Sequence, residues 1–130
     1  MSDKFNIEII SPDKMLIKSE IKEATIPAFE GSMTILKDHI SLITFLRPGF
    51  IEVISDKISE KFYVEEGTVE FFKNTLLILS STVINIKEIS QEYINKILEN
   101  SKKEFDNNQI KDKEKYILSY KINSLEELKK

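Results

Sequence analysis

The chain has 130 residues, 19 basic and 22 acidic side chains, a formal charge of −3 and 41% hydrophobic residues. That is the length of one domain, or of a small domain with an appendage, and it is too apolar for a disordered chain. With no cysteine and one histidine, His39, the composition excludes a disulfide scaffold, a thiol nucleophile, an iron–sulfur cluster and a multi-histidine metal site, and the mild acidity argues against a nucleic-acid partner.

No apolar run approaches the ~18–20 residues of a membrane span. The opening Met1-Ser2-Asp3-Lys4-Phe5 lacks the basic-then-apolar profile of a signal peptide. The chain therefore reads as soluble and cytoplasmic, with no direct membrane insertion. Any tie to a membrane comes through partners.

Two structural grammars meet near residue 86. All three glycines and all three prolines fall before residue 68, whereas the remainder is mostly Lys, Glu, Asn, Ile and Leu. The predicted domains are residues 1–85 and 86–130.

The first part reads as β. Phe5, Ile7 and Ile9 alternate with Asn6 and Glu8, the period of a half-buried strand. After the Ser11-Pro12-Asp13 turn, short strands are predicted at 15–17 and 21–26, around a polar Lys18-Ser19-Glu20 link. Gly31 opens a strand through 33–36, and Pro48-Gly49 turns the chain into 50–54. Ile58, Glu60, Phe62 and Val64 alternate with their neighbours. Gly67 begins 68–72, and Lys73-Asn74 turns into Leu76-Leu77-Ile78-Leu79. That last run is apolar on both sides and predicts a central strand covered on both faces. Many short strands between turn residues predict a sandwich or a barrel.

The second part reads as α. Ser90 is the expected N-cap, with Ile89 and Ile94 spaced as a hydrophobic staple. Ile94, Ile97, Leu98, Ser101 and Phe105 share one helical face. Asp106-Asn107-Asn108 breaks the pattern, and a second helix from about Lys111 carries the stripe Leu118, Ile122, Leu125 and Leu128. The two make an antiparallel hairpin. Ser124 to Glu127 has capping-box spacing, so the last turn is also readable as a separate segment. Helices of ~15–18 residues are marginal alone in water. The hairpin must pack on itself, on the β domain or on a partner.

Catalytic chemistry is sparse. His39 is the one side chain that ordinarily titrates near neutral pH, and it reads as a surface-loop residue. Glu65-Glu66 and Glu126-Glu127 are sequence neighbours, which project apart in a strand or helix. No nucleotide loop and no nucleophile motif is present. A small lyase or isomerase would need His39 beside a second polar group in a closed pocket.

The segment 27–49 stands out, with Glu30-Gly31, Asp38-His39 and Arg47-Pro48-Gly49 in order. Together with Ile9-Ile10-Ser11-Pro12-Asp13, Gly67-Thr68-Val69-Glu70 and Leu76-Leu77-Ile78-Leu79-Ser80, it resembles the epsilon subunit of F-type ATP synthase, the equivalent of the mitochondrial delta subunit. The likeness covers residues 5–86 with good order and spacing. Residues 87–130 match only in length and helical character.

The resemblance implies an N-terminal β-sandwich of about ten short strands followed by a C-terminal antiparallel two-helix hairpin. It implies a non-catalytic central-stalk subunit at the cytoplasmic face of the inner (plasma) membrane, joining the gamma subunit to the c-ring. The implied ring-facing residues are Glu30, Gly31, Ser32, Met33, His39 and Ile40. Leu42, Ile43, Phe45 and Leu46 would face gamma, although Leu42, Ile43 and Leu46 read equally well as core. The C-terminal helices would restrain ATP hydrolysis by meeting the alpha and beta subunits through Lys111, Lys113, Lys115 and Lys121. No cofactor, metal or nucleotide site is implied. Family members that bind ATP open the first helix with Ile-Asp-x-x-Arg-Ala, where Ser90, Tyr93 and Ile94 replace Asp, Arg and Ala, and Asn100-Ser101 replaces a further Arg-Ala pair. The competing reading is a sandwich that binds a peptide or a carbohydrate. Exposed aromatics beside a polar groove would favour it, and a bare apolar stripe on one sheet face would favour assembly into a larger complex.

Overall fold

A computed structural model describes residues 3–130. The strands are β1 (Phe5–Ile10), β2 (Met15–Ile21), β3 (Glu23–Ala28), β4 (Gly31–Ile35), β5 (Leu42–Leu46), β6 (Gly49–Ile54), β7 (Ser59–Val64), β8 (Gly67–Phe72), β9 (Thr75–Leu79) and β10 (Ile84–Asn85). A 3-10 turn, Ile86–Glu88, leads into α1 (Gln91–Phe105) and α2 (Asp112–Leu128). Ten strands followed by two helices match the predicted class.

One curled sheet runs in the order β10-β7-β6-β3-β5-β8-β9-β1-β2, with β4 paired to β3 off that path. Its pairs are antiparallel except β1 with β9. Curling brings the inward residues of distant strands together: Phe5, Ile7, Ile9, Ile26, Ile35, Ile51, Phe62, Phe71 and Ile78 share one core, each at most 4% exposed.

Two local expectations are corrected. The Lys18-Ser19-Glu20 link lies inside β2, where these residues pair with Glu8, Ile7 and Asn6 of β1. An edge strand tolerates polar residues because one side of its ladder faces water. The break falls instead at Lys22, whose amide donates to Ile54 O and whose ammonium sits 2.7 Å from Asp56. The Leu76–Leu79 run is central by pairing, between β8 and β1. It is covered on one face only: Leu76 and Ile78 are fully buried, and Leu79 is 44% exposed.

The turn chemistry is as read. Lys73 and Asn74 both take positive φ, 47° and 57°, the geometry of a tight two-residue hairpin. Gly67, opposite Leu46, has another constraint: a Cβ there would meet Leu79 O at 2.7 Å. A backbone atom cannot swing aside as a side chain can. Gly67→Ala is expected to cost about 1–3 kcal/mol as overpacking. A fall of several degrees in the thermal midpoint of the purified subunit checks it, and an unchanged midpoint refutes it.

The helices resolve the packing question. Ser90 caps α1, its Oγ accepting from Tyr93 N at 3.1 Å. Ile94 and Leu98 of α1 meet Leu125 of α2 and Tyr63 of β7 in a second, smaller core, flanked by Phe50, Ile86, Ile89, Ile97, Ile122 and Leu128. The hairpin thus packs on itself and on the outer side of β6–β7. Phe105 ends the predicted stripe 36% exposed. Ser124 starts no new segment, since α2 runs through it. Buried Ser101 and Ser124 turn their hydroxyls back onto the carbonyls of Ile97 and Tyr120.

Candidate functional site

β5 carries the most exposed apolar side chains of the sheet. Its period of two puts Thr44 and Leu46 inward, at 7% and 4% exposure, and Ile43 and Phe45 outward, at 76% and 62%. Leu42 is half-buried against the core. Leu46 is buried in the main core and Leu42 packs partly against it, because the face that carries them is the one the curled sheet covers.

The outward face continues across the sheet. Thr68 and Glu70 of β8 lie opposite Phe45 and Ile43, and Leu79 and Leu77 of β9 lie opposite Thr68 and Glu70. Ile10 of β1 is next to Leu79. Phe72 adds a ring that is 52% exposed. The result is two exposed apolar rows, one on β5 and one on β9, with Thr68 and Glu70 of β8 between them. At one end they deepen into a groove of about 730 Å³, lined on the sheet side by Ile10, Phe45 and Leu79, and on the helix side by Lys113 and Ile117.

The loops of the ring-facing set do not come together. The β3–β4 turn carries Glu30, which is exposed and accepts from Thr44 Oγ1 at 3.1 Å. Gly31 has φ 145°, a conformation that side chains resist. Ser32 is exposed and Met33 packs partly on the core. His39 and Ile40 lie beyond the far end of β4. Ala28 pairs with Gly31 and with Leu46, whereas Ala24 pairs with Ile35. Residues 30–33 thus sit at the Leu46 end of the sandwich, and residues 36–41 at the Leu42 end. A five-residue strand at ~3.3 Å per residue separates the two by roughly 17 Å. Closeness in sequence hid a full strand length.

His39 is half-buried rather than a bare loop residue. Its Nδ1 lies 2.7 Å from Ile40 O, and its ring meets Phe71 edge-on at 5.9 Å. Its neighbour Asp38 is tied elsewhere: its amide donates to Asn74 Oδ1 at 2.7 Å and its Oδ1 accepts from Asn74 Nδ2 at 2.9 Å. This is packing, not an acid–base pair. No cluster of metal-ligating side chains occurs among the described residues either.

The helical lysines differ in their surroundings. Lys111 and Lys113 are exposed. Lys115 lies over the Phe105 ring at 5.6 Å. Lys121 is engaged by Glu65 of the sandwich at 3.5 Å, with both side chains about a fifth exposed. Glu65 also accepts from the Tyr63 hydroxyl at 3.0 Å. Burial, then the nearby Glu65 carboxylate, pushes both the Tyr63 and Tyr93 hydroxyls above the ordinary tyrosine range.

Sequence reading used Arg47 only as part of the Arg47-Pro48-Gly49 motif and missed its contacts with α2. Its guanidinium lies 3.8 Å from the Tyr120 ring centroid, and its Nη1 donates to the Tyr116 hydroxyl at 3.3 Å. The available signal was Tyr116 and Tyr120 at i, i+4 in a chain with one arginine.

Exposed apolar side chains on one face of a curled sheet and a docked helical hairpin define a domain shaped for assembly with a partner. Residues 4–86 match the family model "ATP synthase, Delta/Epsilon chain, beta-sandwich domain". A protein of Pelagibacter ubique described as ATP synthase epsilon chain is 44% identical over 98% of this chain and 99% of its own length. Another so described, from Allorhizobium ampelinum, is 31% identical over 82% of this chain and 79% of its own. The chain belongs to the ATP synthase epsilon chain family, and is a subunit of that complex rather than an enzyme. Its fold also recurs in two solved assemblies. In the Euglena gracilis mitochondrial ATP synthase, OSCP/F1/c-ring, a chain aligns with TM-score 0.78 and 18% identity over 98% of this chain and 82% of that one. In the central stalk and c-ring of the Tetrahymena thermophila mitochondrial enzyme the values are 0.64, 17%, 96% and 96%. Among the described residues, no helix is long and apolar enough to cross a membrane.

Proposed function

We propose that this chain joins the gamma subunit to the c-ring in the central stalk of a proton-translocating F-type ATP synthase, at the cytoplasmic face of the inner (plasma) membrane. The observation that carries the reading is the band of large apolar side chains, Ile43, Phe45, Phe72 and Leu79, exposed by 44–76% on a sheet whose other face is fully packed. Large exposed apolar side chains gathered on one sheet face, with a few polar groups among them, are what a stable partner covers. Gamma covers Ile43 and Phe45, with Ile40, 78% exposed, at the edge of that contact. The groove beside the band has apolar walls, which suits a protein segment better than a sugar. The direct test is co-purification: the subunit elutes with gamma. Elution alone at micromolar concentrations of both would overturn the reading.

The c-ring meets the other loop. Glu30 supplies the charge there, and Gly31 the backbone turn. Cysteines placed at residues 30–33 are expected to cross-link to the polar loop of c, and those at 39–40 are not. Cross-links confined to 39–40 would reverse the orientation.

The hairpin restrains hydrolysis by contact with alpha and beta rather than by sensing nucleotide. Lys111 is exposed on the hairpin and Lys115 lies over Phe105 of the same hairpin, whereas Lys113, over the Phe29 ring at 5.9 Å, and Lys121, paired with Glu65, are released when the hairpin leaves its present seat. Ser90, Tyr93 and Asn100 offer no cation to a phosphate, and Glu65 sets a carboxylate near Tyr93. Losing two charge-assisted bonds of ~1.5–3 kcal/mol each removes roughly two to four decades of affinity. Titration calorimetry with Mg-ATP is expected to show no binding at low millimolar nucleotide. Measurable binding there would mean that other side chains hold the phosphates.

A further inference from the structure

Arg47 sits where the sandwich, the groove and α2 meet. Its amide donates to Pro27 O at 3.0 Å, which fixes the end of β5. Its guanidinium stacks on Tyr120 at 3.8 Å and its Nη1 reaches the Tyr116 hydroxyl. That hydroxyl in turn donates to Phe29 O at 3.2 Å, and the Tyr116 ring packs at 5.7 Å from Phe29 and 4.9 Å from Tyr120. Four side chains from three segments form one cluster. Arg47 Nε is buried there without a hydrogen-bond partner.

The cluster is separate from the apolar seat. Tyr63, Ile94, Leu98 and Leu125 hold the base of the hairpin, where α1 begins and α2 ends. Tyr116 and Tyr120 lie in the first half of α2, toward the hairpin tip. The other ties are partly exposed ion pairs from the second half of α2, Lys61 with Glu127 and Lys121 with Glu65, both at 3.5 Å, and, from the first half, a long contact of Lys113 over the Phe29 ring at 5.9 Å. Such pairs contribute little. The first half of α2 also supplies Lys113 and Ile117 to the groove wall.

We propose that Arg47, Tyr116 and Tyr120 form a clasp that holds the tip half of α2 on the sandwich and keeps the groove narrow, independently of the apolar seat at the base. The orphaned Nε makes the clasp reversible. When Tyr120 lifts away, Nε regains water, so opening recovers a hydrogen bond that the closed state forgoes. The planar guanidinium stack is what a lysine cannot reproduce. This proposal rests on the docked hairpin alone, whichever partner covers the band.

The chain has no cysteine, so labels can be placed freely. Cysteines at Thr68 and Glu114, both exposed and both outside the cluster, carry spin labels across the groove in the full-length subunit. Pulsed electron resonance is expected to give one dominant distance in the parent. Arg47→Lys and Tyr120→Leu should each populate a longer distance, shifting the open-to-closed ratio by roughly threefold to thirtyfold, the range of a partly desolvated cation–π contact. Amides of residues 112–121 should exchange faster by a similar factor while those of 94–98 stay protected. The double variant should open no further than the larger single effect, because both remove the same contact. An unchanged distance in both single variants, or additive effects in the double, would overturn the clasp. Tyr120→Leu touches no strand, so it decides the matter even if Arg47→Lys perturbs β5.

Discussion

Phe45→Ser should leave the thermal midpoint of the free subunit nearly unchanged and weaken gamma binding by about tenfold or more, whereas Leu46→Ser should unfold the sandwich long before gamma is tested. The two residues are adjacent, and the side of the sheet makes the difference. Phe45 is 62% exposed, so its loss in the free subunit removes little packing. If a partner covers it, an exposed aromatic is a natural anchor, and truncating such a residue costs more than ~1 kcal/mol of binding, often ~2. Leu46 is 4% exposed within the main core. Replacing it costs the transfer energy, the cavity and an unpaired hydroxyl, together roughly 3–5 kcal/mol. For a chain of this size that lowers the midpoint by ~10–20 °C. Thermal melts read the first quantity and immobilised gamma the second. Equal destabilisation by both changes would mean that the outward face is covered within the subunit, and gamma would then have to dock elsewhere.

Leu125→Ser is expected to dissolve the hairpin while leaving the sandwich folded. Leu125 is fully buried between α1, α2 and Tyr63. Its truncation costs about 2–5 kcal/mol. Two helices that are marginal in isolation cannot absorb that loss. Far-ultraviolet dichroism should lose most of its helical signal, and amides in Gln91–Phe105 and Asp112–Leu128 should lose protection. Strand amides should keep theirs. This also tests the proposed division after residue 85, where β10 ends. A single transition in which strands and helices melt together would show one cooperative unit, and the boundary would have no thermodynamic meaning.

The apolar seat and the clasp separate in the same experiments. Leu125→Ser frees both halves of the hairpin, whereas Tyr120→Leu frees the tip half only. Exchange in residues 94–98 distinguishes them, because those amides lie at the base beside Tyr63.

Much of the architecture was legible in the chain before any coordinates. The alternation in Phe5–Ile10, the Pro48-Gly49 and Lys73-Asn74 turns, the Ser90 cap and the stripe Leu118, Ile122, Leu125 and Leu128 are local signals, and local backbone chemistry acts on them directly. Glu30-Gly31, Arg47-Pro48-Gly49 and Gly67-Thr68-Val69-Glu70 carried the family likeness largely through glycines and turns whose geometry is also local. Three matters were decided only by the tertiary structure. Period two divides Leu42 and Leu46 from Ile43 and Phe45, but only the curl of the sheet says which pair is covered. Glu30 and His39 are nine residues apart and at opposite ends of the sandwich, because β4 runs its full length between them. Arg47 meets Tyr120 across more than seventy residues, since the helices return to the outer side of β6–β7. The physical reason is common to all three. A sequence shows how a segment divides its own faces, but what covers each face comes from elements far along the chain, whose arrival depends on the packing of the whole.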